Sequence, residues 1–558
     1  MKLHSQFLKL HSHHGGAAEI LVTLDELALT LGCTHRNALH VINKMSEQGW
    51  IVWTPSRGRG RRSSLKFLTD SETIALQSMK QAISSRDIRS AMEGIRGHAR
   101  SSSLQDSLQG WLMSYFGHHF EIRSDKRIDS LRLPVNQQLH TFDPLYMNLL
   151  AESFVSSHVF DGLVGRGGER DDILPGLAHA WDVDDSRTSW TFHLRKDVFF
   201  HHGKVLAAED VVYSFERMMT SSHRMLYNSI FKEIQEVKAL NATTVRFLLK
   251  KPNELFLPFL CTSRAAVVPR DLESQGESSF GRRPAGTGPF KVAEMHEDSC
   301  VLEVFPYYFQ GRAHLDRVEI LYVPWGISNS SPETSSGFHI VTNPSVSDPS
   351  AWSRIHSESS VRKFVTFNTK KKGPLSDPLL RADIVSCLNA DVETHGPQQP
   401  EPHPAALQIA TIPQYSGDAE SVAARLKRQG YTCTVLTVSP EEFKGPVRLQ
   451  ADLIVFSLLR DQDEQLRLFD LYLTLAQHIE PRTRADIEGR LSLISREPHF
   501  QARAEGFKII EDSLIRDHQL HILYEKPTET AYLPSVRGVT FNSQGWVDLR
   551  HLWFPPEL

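Results

Sequence analysis

Two clusters of side chains near the front of the chain could do chemistry, and in both cases it is the recognition of a nucleic acid. The first is His35, Arg36, Asn37, His40, Asn43 and Lys44, spread along one periodic segment. Arg and Asn read guanine and adenine through paired hydrogen bonds, while cationic side chains meet phosphates. The second is Arg57, Arg59, Arg61 and Arg62, interleaved with Gly58 and Gly60. Four guanidiniums with no acid between them repel one another unless they face anions such as phosphates. Glycine lets the backbone approach a surface closely. From Thr34 to Leu68 there is also Lys66, and the only acid is Glu47. A solvated charge run on a surface hairpin is the plain alternative for the arginines alone.

The elements around these residues decide between the two. Thr23 reads as an N-cap with Glu26 three residues later, the capping-box spacing. Leu24, Leu27, Ala28 and Leu31 follow at helical spacing, and Gly32 stops the helix. After a turn at Cys33-Thr34, a second helix runs from about His35 to Gln48 with Ala38, Leu39 (partly), Val41, Ile42 and Met45 inward. Trp50–Thr54 and Ser63–Leu68 then read as two strands with the arginines at their tip. Helix, tight turn, helix and basic hairpin form a winged helix-turn-helix, whose second helix is sized for the major groove. Double-stranded DNA is therefore the expected partner. From Thr69 to about Phe116 the pattern is helical again, with Leu76, Met79 and Ile83 on one stripe, and it reads as a connector.

The chain has 558 residues, too many for one core, so several domains or lobes are expected. Hydrophobic residues make up 40% and charged residues 23%, an ordinary globular balance. The net charge of -4 excludes a polycation that coats nucleic acid, so DNA binding must be local. The five cysteines are scattered without CxxC spacing, which points to reduced thiols. The first residues have no apolar stretch of signal-peptide type, and no later run approaches ~18 apolar residues. A cytoplasmic protein with no membrane partner is expected.

Beyond about Ile122 short strands alternate with helices. The order "FDGL" (160–163), "LPGLAHAW" (174–181), "WTFHLRKDVFFHHGKVLAAEDVVYSFERM" (190–218), "PAGTGPFKV" (284–292) and "FNTKKKGPLSDPLLRADI" (367–384) resembles the family-5 solute-binding proteins. Those are the oligopeptide, dipeptide and nickel receptors of ABC transporters, and the resemblance runs from roughly residue 125 to the C-terminus. Together with the winged helix, the whole chain resembles the SgrR family of transcription regulators, named for the response to sugar-phosphate stress. The resemblance implies an α/β multidomain fold: a winged helix with its connector over 1–117, then a two-lobed periplasmic-binding-protein-like domain (type II, family 5) over 118–558. It also implies sensing of a small-molecule solute (a sugar, sugar phosphate or peptide-like compound) and control of nearby genes. A homo-oligomer is left open. The rival reading is an ABC-transporter receptor with an N-terminal extension.

Two departures stand out. His202 stands where the receptors usually have Asp, and the helix after Asp377-Pro378 lacks their usual "VRQALNYAIDR". Residues 326–349 and 394–404 read as loops. There is no GxxxxGK[ST], GxSxG or HExxH motif, so no enzyme, catalytic residue or cofactor is expected. In Gly286-Thr287-Gly288-Pro289 the proline argues for a fixed turn over a phosphate cradle. Among 27 histidines the clusters are His11, His13 and His14, then His118-His119 and His201-His202. Adjacent side chains on a strand point to opposite faces, so no metal site is expected. Candidates for the solute pocket, at expected lobe edges, are Phe142, Arg166, Trp325 and Asn368. Of these, Arg166 is the one suited to an anion.

Overall fold

The winged-helix pattern is realised in the computed structural model. It describes residues 2–14, 19–56, 62–84, 115–135, 137–147, 149–167, 172–222, 225–272, 276–296, 298–323, 340–342, 353–390, 403–460, 463–532, 535–542 and 546–556. Its first part consists of α1 (Lys2–His13), β1 (Glu19–Val22), α2 (Leu24–Leu31), α3 (His35–Glu47), β2 (Ile51–Thr54), β3 (Ser63–Phe67) and α4 (Ser71–Ser84). The strands form one antiparallel sheet in the order β1-β3-β2.

Local chemistry sets the helix ends. The Thr23 hydroxyl accepts from the Glu26 amide at 3.2 Å, and the Glu26 carboxylate accepts from the Thr23 amide at 2.9 Å. Both donors would otherwise be orphans of the first turn. Gly32 ends α2 in the left-handed region at φ 65°. Ala38, Val41, Ile42 and Met45 turn inward, as their spacing requires, and meet Leu27, Leu31, Leu65 and Phe67.

Helix α1 and strand β1 are additions to the sequence reading, while α4 falls in the stretch read as helical. Helix α1 drives Phe7 and Leu10 fully into this core, a gain of roughly 1.5–3 kcal/mol for each side chain. In α4 the inward residues are Ile74, Ala75 and Met79, while Leu76 is only half-buried. The stripe is therefore rotated from the expected Leu76-Met79 spacing. The rest of the expected connector, residues 85–114, lies outside the described residues.

The expected division at 117/118 falls at the start of strand β4 (Gly117–Arg123). With β5 (Lys126–Val135), β12 (Phe290–His296), β13 (Ser299–Val304) and β14 (Arg317–Tyr322), β4 forms a sheet of order β12-β13-β14-β5-β4. A β-ribbon of β6 (Val164–Arg166) and β7 (Ile173–Pro175) leads into a second sheet. That sheet is formed by β8 (Ala178–Val183), β9 (Ser189–Leu194), β10 (Ile234–Asn241) and β11 (Thr244–Leu249), ordered β10-β11-β9-β8. These make the first lobe. The second lobe is a six-stranded sheet, β15-β20-β16-β19-β17-β18, built from β15 (Ile340–Thr342), β16 (Ser353–Phe367), β17 (Ala406–Thr411), β18 (Thr432–Thr437), β19 (Leu453–Arg460) and β20 (Leu520–Tyr532). After β20 the chain returns to the first lobe, where Val536, Leu549, Leu552 and Phe554 join its core. Among the described residues no helix is long and apolar enough to cross a membrane.

The motifs that carried the family resemblance serve packing. A Cβ on Gly286 would lie 1.9 Å from the Val159 carbonyl oxygen, so only glycine allows this approach. Between Gly286 and Gly288, Thr287 donates to Asp161 at 2.8 Å, and Tyr308 donates to the other Asp161 oxygen at 2.9 Å. Burial pushes the Asp161 carboxyl above its ordinary range, against the pull of those two hydroxyls. His201 accepts from the Gly286 amide at 3.2 Å and donates to the Gly288 carbonyl at 2.9 Å, which fixes its tautomer. The helix Ala208–Thr220 places Asp210 in its first turn, where it takes the Ala207 amide and the Lys204 ammonium.

Candidate nucleic-acid interface and inter-lobe cavity

Helix α3 sorts its side chains with one exception, Leu39. His35, Arg36, Asn37, His40, Asn43 and Lys44 are all exposed, as is Leu39, while Ala38, Val41, Ile42 and Met45 are buried. Because the core already fills the other face, this polar-basic face is left to solvent. Thr34 caps the helix by accepting from the Asn37 amide at 3.4 Å, which presents Arg36 and Asn37 in its first turn. His35 pairs with Asp25 of α2 at 2.5 Å. Both side chains are largely exposed, so this surface contact is of small net worth.

The wing residues fare differently. Arg57, Arg59 and Arg61 lie outside the described residues. Arg62 is exposed and reaches Glu26 at 3.3 Å, a surface pair of small net worth. Leu65 and Phe67 point into the core, so Lys66, of opposite parity, sits on the outer face of the sheet. Lys66 is thus not on the face that packs against α3.

Between the two lobes an apolar cluster is continuous. It runs from Phe215, Phe247 and Phe256 of the first lobe to Leu471, Tyr472 and Phe507 of the second. Polar contacts cross the same boundary. The Arg166 Nε donates to Asp463 Oδ1 at 3.3 Å, and the Glu254 amide donates to the Ser495 carbonyl at 2.7 Å. Beside Arg166 and Asp463, burial pushes the Cys261 thiol up to about 12, which keeps it protonated and inert.

The four pocket candidates separate on this structure. Phe142 is fully buried in the first-lobe core, which leaves it no face toward a solute. Asn368 is 2% exposed, and its amide donates to the Leu449 and Ala451 carbonyls while its oxygen accepts from the Lys371 amide. Asn368 therefore brackets a loop of the second lobe. Trp325 lies outside the described residues. Arg166 is at the lobe boundary as expected, but its guanidinium is engaged by Asp463.

A cavity of about 520 Å³ opens where the lobes meet, within the size range of small-molecule sites. The first lobe contributes Tyr227 and Lys232, and the second Arg448, Ser457, Thr474 and His478. Tyr227 holds φ 63°, a left-handed conformation rare outside glycine, at the N-cap of the short helix Asn228–Phe231. His478 is 2% exposed, and burial together with Arg448 pushes its pKa down to about 3. The imidazole is neutral at physiological pH, so it offers one donor and one acceptor.

Comparison with known proteins fits both halves. Residues 2–119 match the family model "Sugar transport-related sRNA regulator N-term". Residues 172–389 match "Bacterial extracellular solute-binding proteins, family 5 Middle". The HTH-type transcriptional regulator SgrR of Pectobacterium atrosepticum is 26% identical over 594 residues, covering 100% of this chain and 99% of that relative. Along its whole length the chain is similar to SgrR regulators, and it carries both domains that the two family models describe. The uncharacterized protein YhjP of Bacillus subtilis is also 26% identical, over 95% of this chain and 96% of its own length. Among solved structures, the Helicobacter pylori periplasmic binding protein DppA with peptide STSA superposes at a TM-score of 0.63 and 20% identity. It covers 76% of this chain and 98% of its own. MoaA of A. tumefaciens R10 with mannopinic acid gives 0.62 at 17% identity, covering 76% of this chain and 99% of its own. These likenesses show the fold of the large domain.

In this SgrR-like chain the cavity residues went unnoticed in the sequence. Tyr227, Lys232, Arg448 and His478 come from segments up to 251 residues apart, with no shared spacing. One local signal existed for Arg448. It stands just before Leu449 and Ala451, the two carbonyls that Asn368 of the family's "FNT" run grips.

Proposed function

We propose that this regulator binds operator DNA through α3 and its arginine wing, and senses a small solute in the cavity between its lobes. The observation that carries the reading is the exposed polar-basic face of α3, on a capped helix-turn-helix joined to a solute-binding fold. Arg36 and Asn37 meet base edges, and Lys44, Arg57, Arg59, Arg61 and Arg62 meet phosphates. His40 and Asn43 lie farther along the same face, toward the groove wall. The solute, of sugar, sugar-phosphate or peptide-like class, fills the inter-lobe cavity and sets how the lobes pack. Such a ligand acts on DNA binding only through its differential affinity for two lobe arrangements. The regulator works in the cytoplasm, where its DNA is.

The test is selection of duplexes from a random library by the full chain, followed by titration of the selected sequence at several salt concentrations. A defined preferred sequence and a steep salt dependence are expected. Absence of duplex binding at low salt would overturn the reading.

A further inference from the structure

Strand β4 is the edge of its sheet, with β5 on one side and no second neighbouring strand among the described residues. Ser124 and Asp125 join the two strands, both with positive φ (47° and 63°), the two-residue turn whose twist suits a hairpin. Such a turn closes on a hydrogen-bonded pair, here Arg123 and Lys126. Antiparallel pairs then alternate. Glu121 and His119 face β5, while Ile122 and Phe120 send their N–H and C=O groups to the open edge. The far side of β5 agrees with this parity. Asp129, opposite Phe120, turns its amide to the Asp316 carboxylate at 2.8 Å and its carbonyl to the Asp316 amide at 2.9 Å, away from β4.

An open edge is a template for another strand, and proteins guard such edges with bulges, prolines or lysines. At the other end of the same sheet, β12 has a register shift between Val292 and Glu294 and carries Lys291. Strand β4 has none of these guards, and its seven residues pair with β5 without a break. Its apolar side chains are also uncovered. Phe120 is 55% exposed and Ile122 71%, both on one face. That face continues through His118, which stacks on Phe554 at 3.9 Å.

We infer that β4 pairs with β4 of a second copy of this chain, antiparallel about a two-fold axis at Phe120. The strand is self-complementary in that register. Phe120 lies opposite the partner's Phe120, and Ile122 opposite the partner's His118. The groups that Phe120 and Ile122 send outward thereby find partners, and the two sheets become one. On the other face His119 lies opposite the partner's Glu121, an imidazole beside a carboxylate. Arg123 lies opposite the partner's Gly117, where no side chain obstructs it. Moving the axis to Glu121 would set two carboxylates against each other. Moving it to His119 would carry Ile122 past the end of the opposing strand. The pairing depends on neither the DNA reading nor the solute reading above.

The test is the mass of the full chain by sedimentation and light scattering over about a hundredfold range of concentration. A dimer that dissociates on dilution is expected. Ile122→Pro removes an N–H that faces away from β5, so it should abolish the dimer while leaving the melting temperature of the dilute chain close to the parent's. Phe120→Lys sets two ammonium groups against each other and should raise the dissociation constant roughly tenfold or more. Two cysteine variants read the register. Phe120→Cys brings the two new thiols opposite one another, with Cα atoms about 5.5 Å apart and within disulfide reach. Ile122→Cys leaves them four residues out of register, about 14 Å apart. On oxidation with diamide the first should cross-link two copies and the second should not. A chain that stays monomeric throughout, a dimer that survives both Ile122→Pro and Phe120→Lys, or equal cross-linking of the two cysteine variants would overturn the inference.

Discussion

Arg166 and Asp463 meet across the lobe boundary, Nε to Oδ1 at 3.3 Å, with side chains only 5% and 1% exposed. A charge pair this buried is expensive to form and more expensive to break. Removing one partner takes the opposite charge away from the other in a medium that solvates it poorly, at about 3–5 kcal/mol. Arg166→Met is therefore expected to lower unfolding stability by about 3 kcal/mol, or to loosen the lobes so that Asp463 regains water. Urea denaturation reads the first outcome and the radius of gyration in solution reads the second. The double variant Arg166→Met/Asp463→Leu should recover much of the loss, with a coupling above about 1 kcal/mol in the double-mutant cycle. Independent, additive effects would show that the pair does not hold the lobes.

The wing and the helix should fail in different ways. Replacing Arg57, Arg59, Arg61 and Arg62 with Ala is expected to weaken binding to every duplex and to flatten the log–log salt dependence by roughly three units. Arg36→Ala or Asn37→Ala should change which bases are preferred, by ~1–3 kcal/mol per lost paired contact. Lys66→Ala, on the outer face of the sheet, should leave both nearly unchanged. Binding measured at four salt concentrations on a selected and a scrambled duplex separates these outcomes.

How much of this was legible depends on whether the deciding contacts are local. The helix-turn-helix was readable because Thr23 and Glu26 cap one another within four residues and Gly32 stops the helix at once. Helix α1 carried a fainter signal. Leu3, Phe7 and Leu10 have helical spacing, but the histidines around them dilute the pattern. The inter-lobe cavity was not readable, because its members are neighbours only after two lobes fold and meet. Phe142 and Asn368 were reasonable by residue type. Their surroundings, a closed apolar core and a pair of backbone carbonyls, are settled by residues far along the chain.

The buried histidine also predicts a pH dependence. His478 has an ordinary pKa near 6.5 when unfolded and about 3 when folded, because burial and Arg448 disfavour its charge. Below pH 6.5 the unfolded chain binds a proton that the folded chain refuses, so stability falls as pH drops toward 3. The slope from this one group is about 1.4 kcal/mol per pH unit. Over pH 6 to 5, His478→Phe should reduce the slope of unfolding free energy by close to one proton. An identical slope in the variant would show that the ring escapes to solvent before the domain unfolds.

The last prediction concerns the link between the two halves. The winged helix has its own closed core, from Phe7 and Leu10 through Ile42 to Phe67 and Ile74. The lobes have theirs, continuous across their boundary. A solute at that boundary can change DNA affinity only if the two lobe arrangements differ in how they bear on the winged helix, and linkage then makes the effect reciprocal. Saturating solute should shift operator affinity of the full chain by a factor corresponding to ~1–3 kcal/mol, and operator DNA should shift solute affinity by the same factor. Arg166→Met, if it loosens the lobes, should move operator affinity without solute in the direction opposite to the solute's effect. A fragment spanning residues 1–117 should bind the same duplex and ignore the solute. Two titrations of solute into the full chain, one with operator and one without, supply the number. Equal solute affinities in both, with a fragment that binds DNA as the full chain does, would leave the two halves joined but uncoupled.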